Sequence, residues 1–398
     1  MSGGIVIVGG GFAGFWAALA AKRVGGEALE VTVVSRDPVL QIRPRLYEAN
    51  PASLAVDLLG PLGQAGVRFV RGHATTLDLE ARTVGLADGD RVAYHRLVVA
   101  TGSCLRRPPI PGADQAWSID TLDEAVAFDH RLIEIARTAA EPVVAILGAG
   151  FTGIELALEL RDRIAQHGGD ALADRTRIVV LERAAAVGPE LGPGPRPTIE
   201  AALAAARIEC RLGTTVRALA LDQVVLTDGS ALRADAVVLT TGMVAAPFVD
   251  QIPGDRDALG RILVERSLRA PRAAGVFVAG DAAAADVGDG HLTLQSCQQA
   301  LQLGRFAGEN AARDVLGLAT LAYAQPRYVT CLDLGRSGAV LTHGHDRAVV
   351  QTGADAKRVK RAINTSIIYP PAAASREVLL AASSTELGAQ LRGPLGGR

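Results

Sequence analysis

The chain has 398 residues, a length that predicts two or three domains, each large enough to bury a core of its own. Apolar residues make up 49% and charged residues 21%, proportions of ordinary globular chains that exclude intrinsic disorder. The net charge of −1 comes from 41 Lys and Arg against 42 Asp and Glu, so no overall field would attract nucleic acid.

The apolar residues come in short runs broken by Gly, Pro and charge, and none reaches the roughly 20 residues that span a bilayer. The first strand-like run, Ile5–Val8, begins almost at Met1 and leaves no room for a signal peptide, which predicts a cytoplasmic protein. The four cysteines contain no CxxC pair, so neither a disulfide framework nor a cysteine zinc site has the required spacing.

The chain opens with the elements of a βαβ unit. The β-branched run Ile5–Val8 precedes a glycine-rich turn, and the Ala- and Leu-rich stretch Phe15–Val24 has the composition of a helix. A second strand is predicted at Val31–Val34. Three further short strands, at 67–70, 75–78 and 83–87, indicate a β-insertion with Asp88-Gly89 as a turn.

The same unit occurs a second time. Gly9-Gly10-Gly11-Phe12-Ala13-Gly14 aligns with Gly148-Ala149-Gly150-Phe151-Thr152-Gly153 at an offset of 148 − 9 = 139 residues, and the segments ending in Thr101-Gly102 and Thr241-Gly242 align at 242 − 102 = 140. Strands at 143–147 and 178–181, a helix at 154–165 and a hairpin at 216–226 complete the repeat. Alternating strands and helices predict an α/β fold with parallel sheets covered on both faces.

Two Pro-containing segments predict crossings between the units. Pro108–Gly112 predicts the first, because Pro cannot continue a regular element, and the return is expected near Ala245–Pro253. Beyond about Ala319 the pattern changes to short strands at 328–332, 339–342 and 347–351, which predicts a third, β-containing module. The tail from Pro370 is rich in Ala, Ser and Gly and is expected to be partly loose.

Both glycine loops stand between a strand and a helix, the context in which the GxGxxG pattern binds a pyrophosphate. The glycines let the backbone approach the phosphates, and the helix offers free N–H groups and a positive dipole end. A turn needed only for tight strand-to-helix packing is the alternative interpretation.

The residue that ends the second strand of each unit is expected to contact the adenosine ribose. In the second unit this is Glu182, whose carboxylate would accept from the 2′ and 3′ hydroxyls and repel a 2′-phosphate, which favours NADH over NADPH. The adjacent Arg183 softens that preference. In the first unit the position holds Ser35, with Asp37 two residues on, so the usual acid is missing.

Together these motifs resemble those of the two-dinucleotide-domain flavoproteins of the glutathione reductase type, in which the first unit holds FAD and the second NAD(P)H. Val276-Phe277-Val278-Ala279-Gly280-Asp281 resembles the second flavin motif of that family, whose aspartate hydrogen-bonds the ribityl chain. The resemblance spans residues 5–281. It implies an α/β fold of two Rossmann-like FAD- and NAD-binding domains with β-insertions, plus a small C-terminal α+β domain.

The resemblance also implies the domain limits and the cofactors. The FAD-binding domain is predicted at 1–113 with 246–318, the NAD(P)H-binding domain at 114–245, and a C-terminal interface or acceptor domain at 319–398. FAD and NADH are the expected cofactors, with NADPH as the alternative to NADH. The residues expected to bind them are Gly9, Gly11, Phe12, Ala13, Gly14, Ser35, Arg36, Arg43, Ala100, Thr101, Gly102, Gly148, Gly150, Phe151, Thr152, Gly153, Glu182, Gly242, Gly280 and Asp281.

Without paired cysteines the chain does not fit the disulfide-reductase branch and is more similar to type II NADH dehydrogenases, which are NADH:quinone oxidoreductases. Gln295-Ser296-Cys297-Gln298-Gln299 resembles their AQxAxQ quinone-side motif, with Leu294 and Cys297 in place of the alanines. Gln295 and Gln299 are therefore expected on the acceptor side. The alternative is a pair of ordinary helix-surface glutamines at i, i+4.

A third catalytic residue is suggested by Ile154-Glu155-Leu156-Ala157, which resembles the helix of these enzymes whose acid faces the flavin. Glu155 is expected either to pass a proton to a quinone or to gate the nicotinamide; as a first-turn acid it also suits the helix dipole. The helix that begins near residues 294–297 is expected to point its N-terminus at the flavin and stabilise negative charge there.

The predicted function is that of an FAD-dependent oxidoreductase, which transfers hydride from NADH to FAD and then two electrons to a quinone or quinone-like small molecule. Two alternatives remain open: an NAD(P)H-dependent reductase of a ferredoxin-type electron-transfer protein, and a flavin redox sensor of low turnover. The oligomeric state is open and includes a homodimer.

Three features near the C-terminus depart from the resemblance or fail to form a site. The basic run Lys357-Arg358-Val359-Lys360-Arg361 either lies on anionic lipid at the inner face of the membrane or is a solvated helix face. His343-Gly-His345 has no third ligand at suitable spacing, so no metal is predicted. Cys297 has no partner cysteine and is expected to be a small buried residue rather than a redox thiol.

Overall fold

Two parallel β-sheets of matching strand order form the framework of the protein. The computed structural model describes residues 4–325, 327–371 and 375–388, so parts of the predicted C-terminal domain and tail lie outside the described residues. The strands are, in chain order, β1 (Ile5–Val8), β2 (Val31–Ser35), β3 (Val39–Gln41), β4 (Ala55–Asp57), β5 (Arg68–Arg71), β6 (Ala74–Asp78), β7 (Thr83–Leu86), β8 (Arg91–Ala93), β9 (Arg96–Val99), β10 (Ser103–Leu105), β11 (Val143–Leu147), β12 (Arg177–Leu181), β13 (Glu209–Arg211), β14 (Val216–Ala220), β15 (Gln223–Leu226), β16 (Ala231–Arg233), β17 (Ala236–Leu239), β18 (Met243–Ala245), β19 (Ile262–Leu263), β20 (Val276–Val278), β21 (Ala283–Ala284), β22 (Val329–Asp333), β23 (Ala339–His343) and β24 (Ala348–Thr352).

Antiparallel strands cover one face of each of the two parallel sheets, and helices cover the other face. The helices are α1 (Phe12–Gly25), α2 (Leu59–Gln64), α3 (Leu122–Thr138), α4 (Phe151–Gly168), α5 (Asp170–Arg175), α6 (Arg196–Ala205), α7 (Cys297–Val315), α8 (Gly353–Ala362) and α9 (Arg376–Ala381). A π-helical segment, Ile363–Ile367, continues α8. In the described ranges no helix has both the length and the apolar composition needed to cross a bilayer.

The duplication predicted from the glycine loops is present in the sheet topology. The first sheet has the order β20-β9-β1-β2-β5 and the second β13-β12-β11-β17, so β9-β1-β2-β5 corresponds to β17-β11-β12-β13 read from the other end. The pairings in both sheets are parallel. The fully buried patterns of β1 and β11 explain why both read as unbroken apolar runs.

Each unit carries an antiparallel three-stranded insertion, β6-β7-β8 in the first and β14-β15-β16 in the second. The two crossings between the units pair with each other as an antiparallel ribbon of β10 and β18, with Ser103 opposite Ala245 and Leu105 opposite Met243. The predicted crossing segments at 108–112 and 245–253 therefore begin where this ribbon ends. The C-terminal module is the antiparallel sheet β22-β23-β24 with α8 packed on it.

Helix α7 packs closely against α1 because two glycines of α7 face α1. A Cβ on Gly304 would stand 2.2 Å from the Ala13 carbonyl oxygen, and a Cβ on Gly308 would stand 2.0 Å from that of Ala17. Only glycine fits at this distance. The close packing sets the middle turns of α7 against the first two turns of α1.

Candidate functional site

A cavity of about 1720 Å³ opens at the carboxyl ends of both parallel sheets. Small-molecule sites usually measure about 300–1,000 Å³, so this one has room for more than one ligand. Ligands bind at this edge of open α/β sheets because the loops that follow the strands converge there. Both glycine loops, the crossings, the start of α7 and residues of the C-terminal module line it.

The first glycine loop has the geometry that a pyrophosphate requires. Gly9 has a φ of +113°, and a Cβ there would stand 2.2 Å from the Ala100 carbonyl oxygen. A Cβ on Gly14 would stand 1.8 Å from the Gly9 carbonyl oxygen, so this third glycine serves helix packing and does not line the cavity. Gly11, the N-cap of α1, has open space where its Cβ would be.

The second loop repeats that backbone closely. Gly148 has a φ of +110°, and a Cβ on it would stand 2.4 Å from the Thr240 carbonyl oxygen. Gly153 packs against the Gly148 carbonyl oxygen as Gly14 packs against Gly9, with a Cβ separation of 2.1 Å, and it also does not line the cavity. Gly150, unlike Gly11, is covered: the Glu190 carboxylate lies 2.7 Å from its Cβ position.

The two predicted ribose positions differ in their surroundings. Glu182 is buried just after β12, where its Oε2 accepts from the Ala149 N–H and its Oε1 from the Ala184 N–H, both at 2.8 Å. These bonds hold the carboxylate on the cavity wall beside the second loop and leave each oxygen a further lone pair. Ser35 lines the cavity beside Gly10, and the exposed Arg36 pairs with Asp37 at 2.9 Å.

Asp281 lies just after β20 and is held by a network that spans the crossing ribbon. The Ser103 hydroxyl donates to Asp281 Oδ2 at 2.7 Å, and Arg43 Nη1 donates to the Ser103 carbonyl oxygen at 3.2 Å. Arg43 Nε also donates to the Asp120 carbonyl oxygen at 3.0 Å. Arg43 therefore lines the cavity and holds its wall in place, and Asp281 and the neighbouring Gly280 line it as well.

One buried polar atom on this wall has no hydrogen-bond partner in the part of the chain that the structure describes. Thr101 Oγ1 is buried in the cavity wall and makes no hydrogen bond to any described residue. Buried hydroxyls are nearly always hydrogen-bonded. Together with the open space at Gly11 and the adjacent Ala100 and Gly102, this unpaired hydroxyl fits a bound dinucleotide in the first unit.

Glu155 forms a buried ion pair with Lys360 of the C-terminal module. Lys360 Nζ donates to Glu155 Oε1 at 2.7 Å, and the Asp333 N–H donates to the same oxygen at 2.9 Å. The side chains of the pair are only 5% and 3% exposed. Burial raises the pKa of Glu155 to about 7, and Lys360 opposes that rise. The carboxyl therefore changes its protonation state near neutral pH at the cavity wall.

Three more groups surround this pair. The Tyr47 hydroxyl donates to Asp333 Oδ2 at 3.2 Å, and burial, reinforced by Glu155, raises the pKa of Tyr47 well above its usual value. Burial raises the pKa of the Cys297 thiol to about 11 and that of Cys331 to about 12. Both cysteines are therefore protonated thiols at neutral pH. Cys297 is only partly buried and lines the cavity, so the expectation that it is a buried residue is wrong.

The two glutamines predicted at the acceptor side separate in the structure. Gln295 lines the cavity, and its Nε2 donates to the Asp281 carbonyl oxygen at a long 3.4 Å. Gln299 is fully buried, does not line the cavity, and accepts from the Leu294 N–H. Gln299 instead stabilises the start of α7, where its N–H donates to the Ser296 hydroxyl at 3.3 Å. We therefore do not include Gln299 among the residues proposed to contact the acceptor.

The other predicted cofactor-binding residues lie on the same cavity. Among the cofactor set, only the third glycines of the two loops, Gly14 and Gly153, are not in its lining; the lining members not discussed above are Phe12, Ala13, Phe151, Thr152 and Gly242. Sequence reasoning missed Lys360, Asp333 and Glu190. A signal for Lys360 was available: Ala356, Val359, Lys360 and Ile363 follow the i, i+3, i+4, i+7 spacing of a buried helix face.

The basic run of α8 divides between the interior and the surface. Lys360 pairs with Glu155, and Lys357 pairs with Asp333, so two of its cations are used inside the protein. Arg358 is exposed and pairs with Asp355 at 2.6 Å, and Arg361 is exposed. The membrane-facing interpretation of this run would therefore rest on the two arginines.

His345 lies beside two polar side chains, His291 and Asp289, that the sequence analysis did not connect with it. Its ring stacks on that of His291, with centroids 4.1 Å apart and planes 3° from parallel, and Asp289 Oδ1 lies 3.0 Å from His291 Nδ1. Their ligand atoms all lie within 4.8 Å of one another. The ring lone pairs lie in two parallel planes and therefore cannot both point at one ion, so we assign no metal here.

Comparisons with known proteins agree with this geometry. Residues 3–304 match the sequence profile of the family described as pyridine nucleotide-disulphide oxidoreductase. An NADH dehydrogenase-like protein of Mycobacterium tuberculosis is 41% identical over 392 residues, covering 96% of this chain and 98% of that protein. The demethylphylloquinone reductase of Synechocystis is 28% identical and covers 85% and 86% of the two chains. The sulfide:quinone oxidoreductase of Aquifex aeolicus has the same fold, with a TM-score of 0.76 at 18% identity over 91% of this chain and 90% of that one.

Proposed function

The chain belongs to the pyridine nucleotide-disulphide oxidoreductase family and is an oxidoreductase of the NADH dehydrogenase type, and we propose that its electron acceptor is a quinone or a quinone-like small molecule. FAD and NADH are its cofactors, as the family and its NADH dehydrogenase-like relatives imply. The observation that carries the proposal is the position of Glu155, a buried acid with a pKa of about 7, on the wall of the cavity that both glycine loops share.

We assign the first loop to FAD and the second to NADH. Gly9, Gly11 and the unpaired Thr101 hydroxyl suit a dinucleotide that stays bound, with Asp281 as the acceptor for its ribityl hydroxyls. Glu182 would hold the adenosine ribose of NADH. The domains proposed on this basis are 1–113 with 246–318 for FAD, 114–245 for NADH and 319–398 for the acceptor side. When bound, FAD supplies the two-electron store between donor and acceptor.

Proton balance gives Glu155 a role. Oxidation of NADH by a quinone yields NAD⁺ and a quinol, and NADH brings one hydride, so one more proton is taken up. Glu155 holds a proton below about pH 7, and Lys360 and the Asp333 N–H keep its carboxyl in place. Gln295 on the same wall can hydrogen-bond a quinone oxygen.

The wall around Glu155 is also suited to a flat apolar ring. Leu301, Ile363, Ile367 and Ile368 line the cavity together with Lys360. Apolar walls with a few placed polar groups are typical of sites for small organic molecules. The names of two relatives point the same way, since one is a demethylphylloquinone reductase and the other is a type II NADH:quinone oxidoreductase.

The test is to purify the protein, record its spectrum for bound flavin, and follow NADH consumption with a naphthoquinone, with a benzoquinone, with a ferredoxin and with no acceptor. Rapid turnover with a quinone alone supports the proposal. Turnover only with ferredoxin would replace it with the protein-reductase alternative, and flavin reduction without turnover on any acceptor would favour a redox sensor. Vesicle sedimentation with anionic lipid tests whether the exposed Arg358 and Arg361 mediate membrane contact.

A further inference from the structure

The anion site of the second glycine loop is filled by a side chain of the protein itself. Glu190 lies on the turn Pro189–Leu191, and its Oε1 accepts from the Phe151 N–H at 3.0 Å, at the start of the 18-residue helix α4. In the first loop, apart from Gly11 and its chain neighbours, no described atom lies within 4 Å of the equivalent point on Gly11. Free N–H groups at a helix start bind carboxylates and phosphates alike. A dinucleotide in the second loop must therefore compete with Glu190.

The Glu190 side chain is free to leave. It is exposed, whereas the adjacent Leu191 is buried and anchors the turn. Gly188 and Gly192 bracket the turn with φ values of +56° and +74°, and the Gly188 N–H donates to the Ala149 carbonyl oxygen at 2.9 Å. Rotation about the side-chain bonds of Glu190 would release the Phe151 N–H without moving this backbone.

A buried arginine that has no acid partner among the described residues packs against the same turn. Arg347 is 8% exposed and lines the cavity, and its Cγ packs 3.7 Å from the Cβ position of Gly192. Its guanidinium lies over the Tyr328 ring at 4.7 Å. Within the described residues its Nη1 has no hydrogen-bond partner, and the side chain forms no ion pair. A buried N–H donor without an acceptor is costly, so Nη1 of Arg347 is placed to receive an anion that enters the cavity.

We propose that Glu190 and Arg347 form a gate that sets the affinity of the second loop for a nicotinamide dinucleotide. In the free protein the Glu190 carboxylate occupies the Phe151 N–H. When the pyrophosphate takes that N–H, the carboxylate moves to Arg347 and forms an ion pair with it. This inference rests on the proposed function, because it takes the second loop as the NADH site. The gate lowers the affinity for the dinucleotide and so favours release of the product NAD⁺.

The test measures binding of NAD⁺ to the flavin-loaded full chain by calorimetry. Glu190→Gln is expected to tighten the Kd about three- to tenfold, because the competing charge is gone. Arg347→Asn is expected to weaken binding about three- to tenfold, since the displaced carboxylate loses its partner. In the double variant the Arg347→Asn effect should vanish, because no carboxylate needs to be received. Glu200→Gln, an exposed acid on α6 outside the cavity lining, is the matched control and should bind as wild type.

Two results would overturn the gate. One is an unchanged Kd in Glu190→Gln while the wild-type protein binds NAD⁺ normally. The other is an Arg347→Asn effect of full size in the double variant, which would mean that Arg347 contacts the nucleotide directly. Asn suits the positive φ of Arg347, and Arg347→Lys, which keeps the charge, should bind as wild type. If Arg347→Asn does not fold, the Kd of Glu190→Gln decides alone. Absence of NAD⁺ binding in the wild-type protein would instead refute the proposed function.

Discussion

The two glycine loops have nearly the same backbone and very different surroundings. Gly9 and Gly148 have φ values of 113° and 110°. Each loop directly follows an inner strand of its parallel sheet, β1 in the first and β11 in the second. Helix α1 of the first loop is buried along almost its whole length by α7, whereas α4 of the second has an exposed face. A loop whose helix is packed on all sides suits a ligand that stays, and an open one suits a ligand that exchanges.

The difference continues at equivalent positions along the two helices. At the offset of 155 − 16 = 139, Glu155 of α4 corresponds to Trp16 of α1. Trp16 is buried with Arg305 over its ring at 4.4 Å, and Glu155 is buried with Lys360 at 2.7 Å. A cation therefore contacts the side chain at both positions, but only Glu155 can exchange a proton near neutral pH. Duplication supplied the backbone, and single side chains then separated the two chemistries.

Removal of the cation tests this difference most strongly. Lys360→Met leaves the Glu155 carboxyl buried without its partner and is expected to lower the free energy of unfolding by about 3–5 kcal/mol at pH 8. The loss should shrink towards pH 5, because Glu155 is then protonated and needs no counter-charge. Urea denaturation at both pH values measures it.

The matched control for that variant is Arg305→Met, where a cation over an aromatic ring is worth about 0.5–2 kcal/mol. If both variants lost the same free energy of unfolding, the buried ion pair at Glu155 would be no more important for stability than the cation over Trp16. Glu155→Gln combined with Lys360→Met should recover part of the stability.

Turnover with a quinone should depend on the proton that Glu155 holds. Since the pKa of Glu155 is raised to about 7, the wild-type rate should fall as the pH rises through 7 and the carboxyl ionises. Glu155→Gln is expected to lower quinone turnover about a hundredfold and to lack that pH dependence. Stopped-flow reduction of the flavin by NADH should change much less, and an equal loss in both half-reactions would contradict the assignment.

A single methyl group can test whether the first loop holds the flavin. Gly11 has a φ of −78° and open space at its Cβ position, so Gly11→Ala should fold normally. The methyl would meet only a bound ligand, and we expect about ten- to a hundredfold weaker flavin binding, as overpacking usually costs. Flavin absorbance per protein and equilibrium dialysis measure this. Gly63→Ala in α2, whose Cβ position is also open, is the control.

The smallest effect concerns the choice of nucleotide. Glu182→Gln keeps an acceptor for the Ala149 or the Ala184 N–H but removes the charge that would repel a 2′-phosphate. The preference for NADH over NADPH, measured as a ratio of kcat/KM, should narrow about three- to tenfold. Ser35→Ala, at the corresponding place in the first unit, should leave the ratio unchanged; a shift there would reverse the assignment of the loops.

The framework of this protein was predictable because its signals are local. The strand Ile5–Val8 and the strand Val143–Leu147 were predicted with their observed limits, and the glycine loops followed directly from the repeat. Lys360 was not predicted as a partner of Glu155, because 205 residues separate them and only the folded C-terminal module brings them together. Gln299 could be placed on α7 from the sequence, but its burial depends on tertiary packing. Glu190 was missed because a turn residue has no periodic pattern.

The ribbon of β10 and β18 brings the two crossings between the units side by side. With Ser103 opposite Ala245 and Leu105 opposite Met243, the polypeptide leaves the first unit and re-enters it at neighbouring points. With the domain limits proposed above, the second unit would be an insertion whose ends meet, and a hairpin turn of about two residues would reconnect β10 and β18 if that unit were excised. A domain with adjacent termini is the kind of segment that tolerates insertion and exchange, so excision of this single continuous segment would leave both ends of the flavin-binding part within reach of each other.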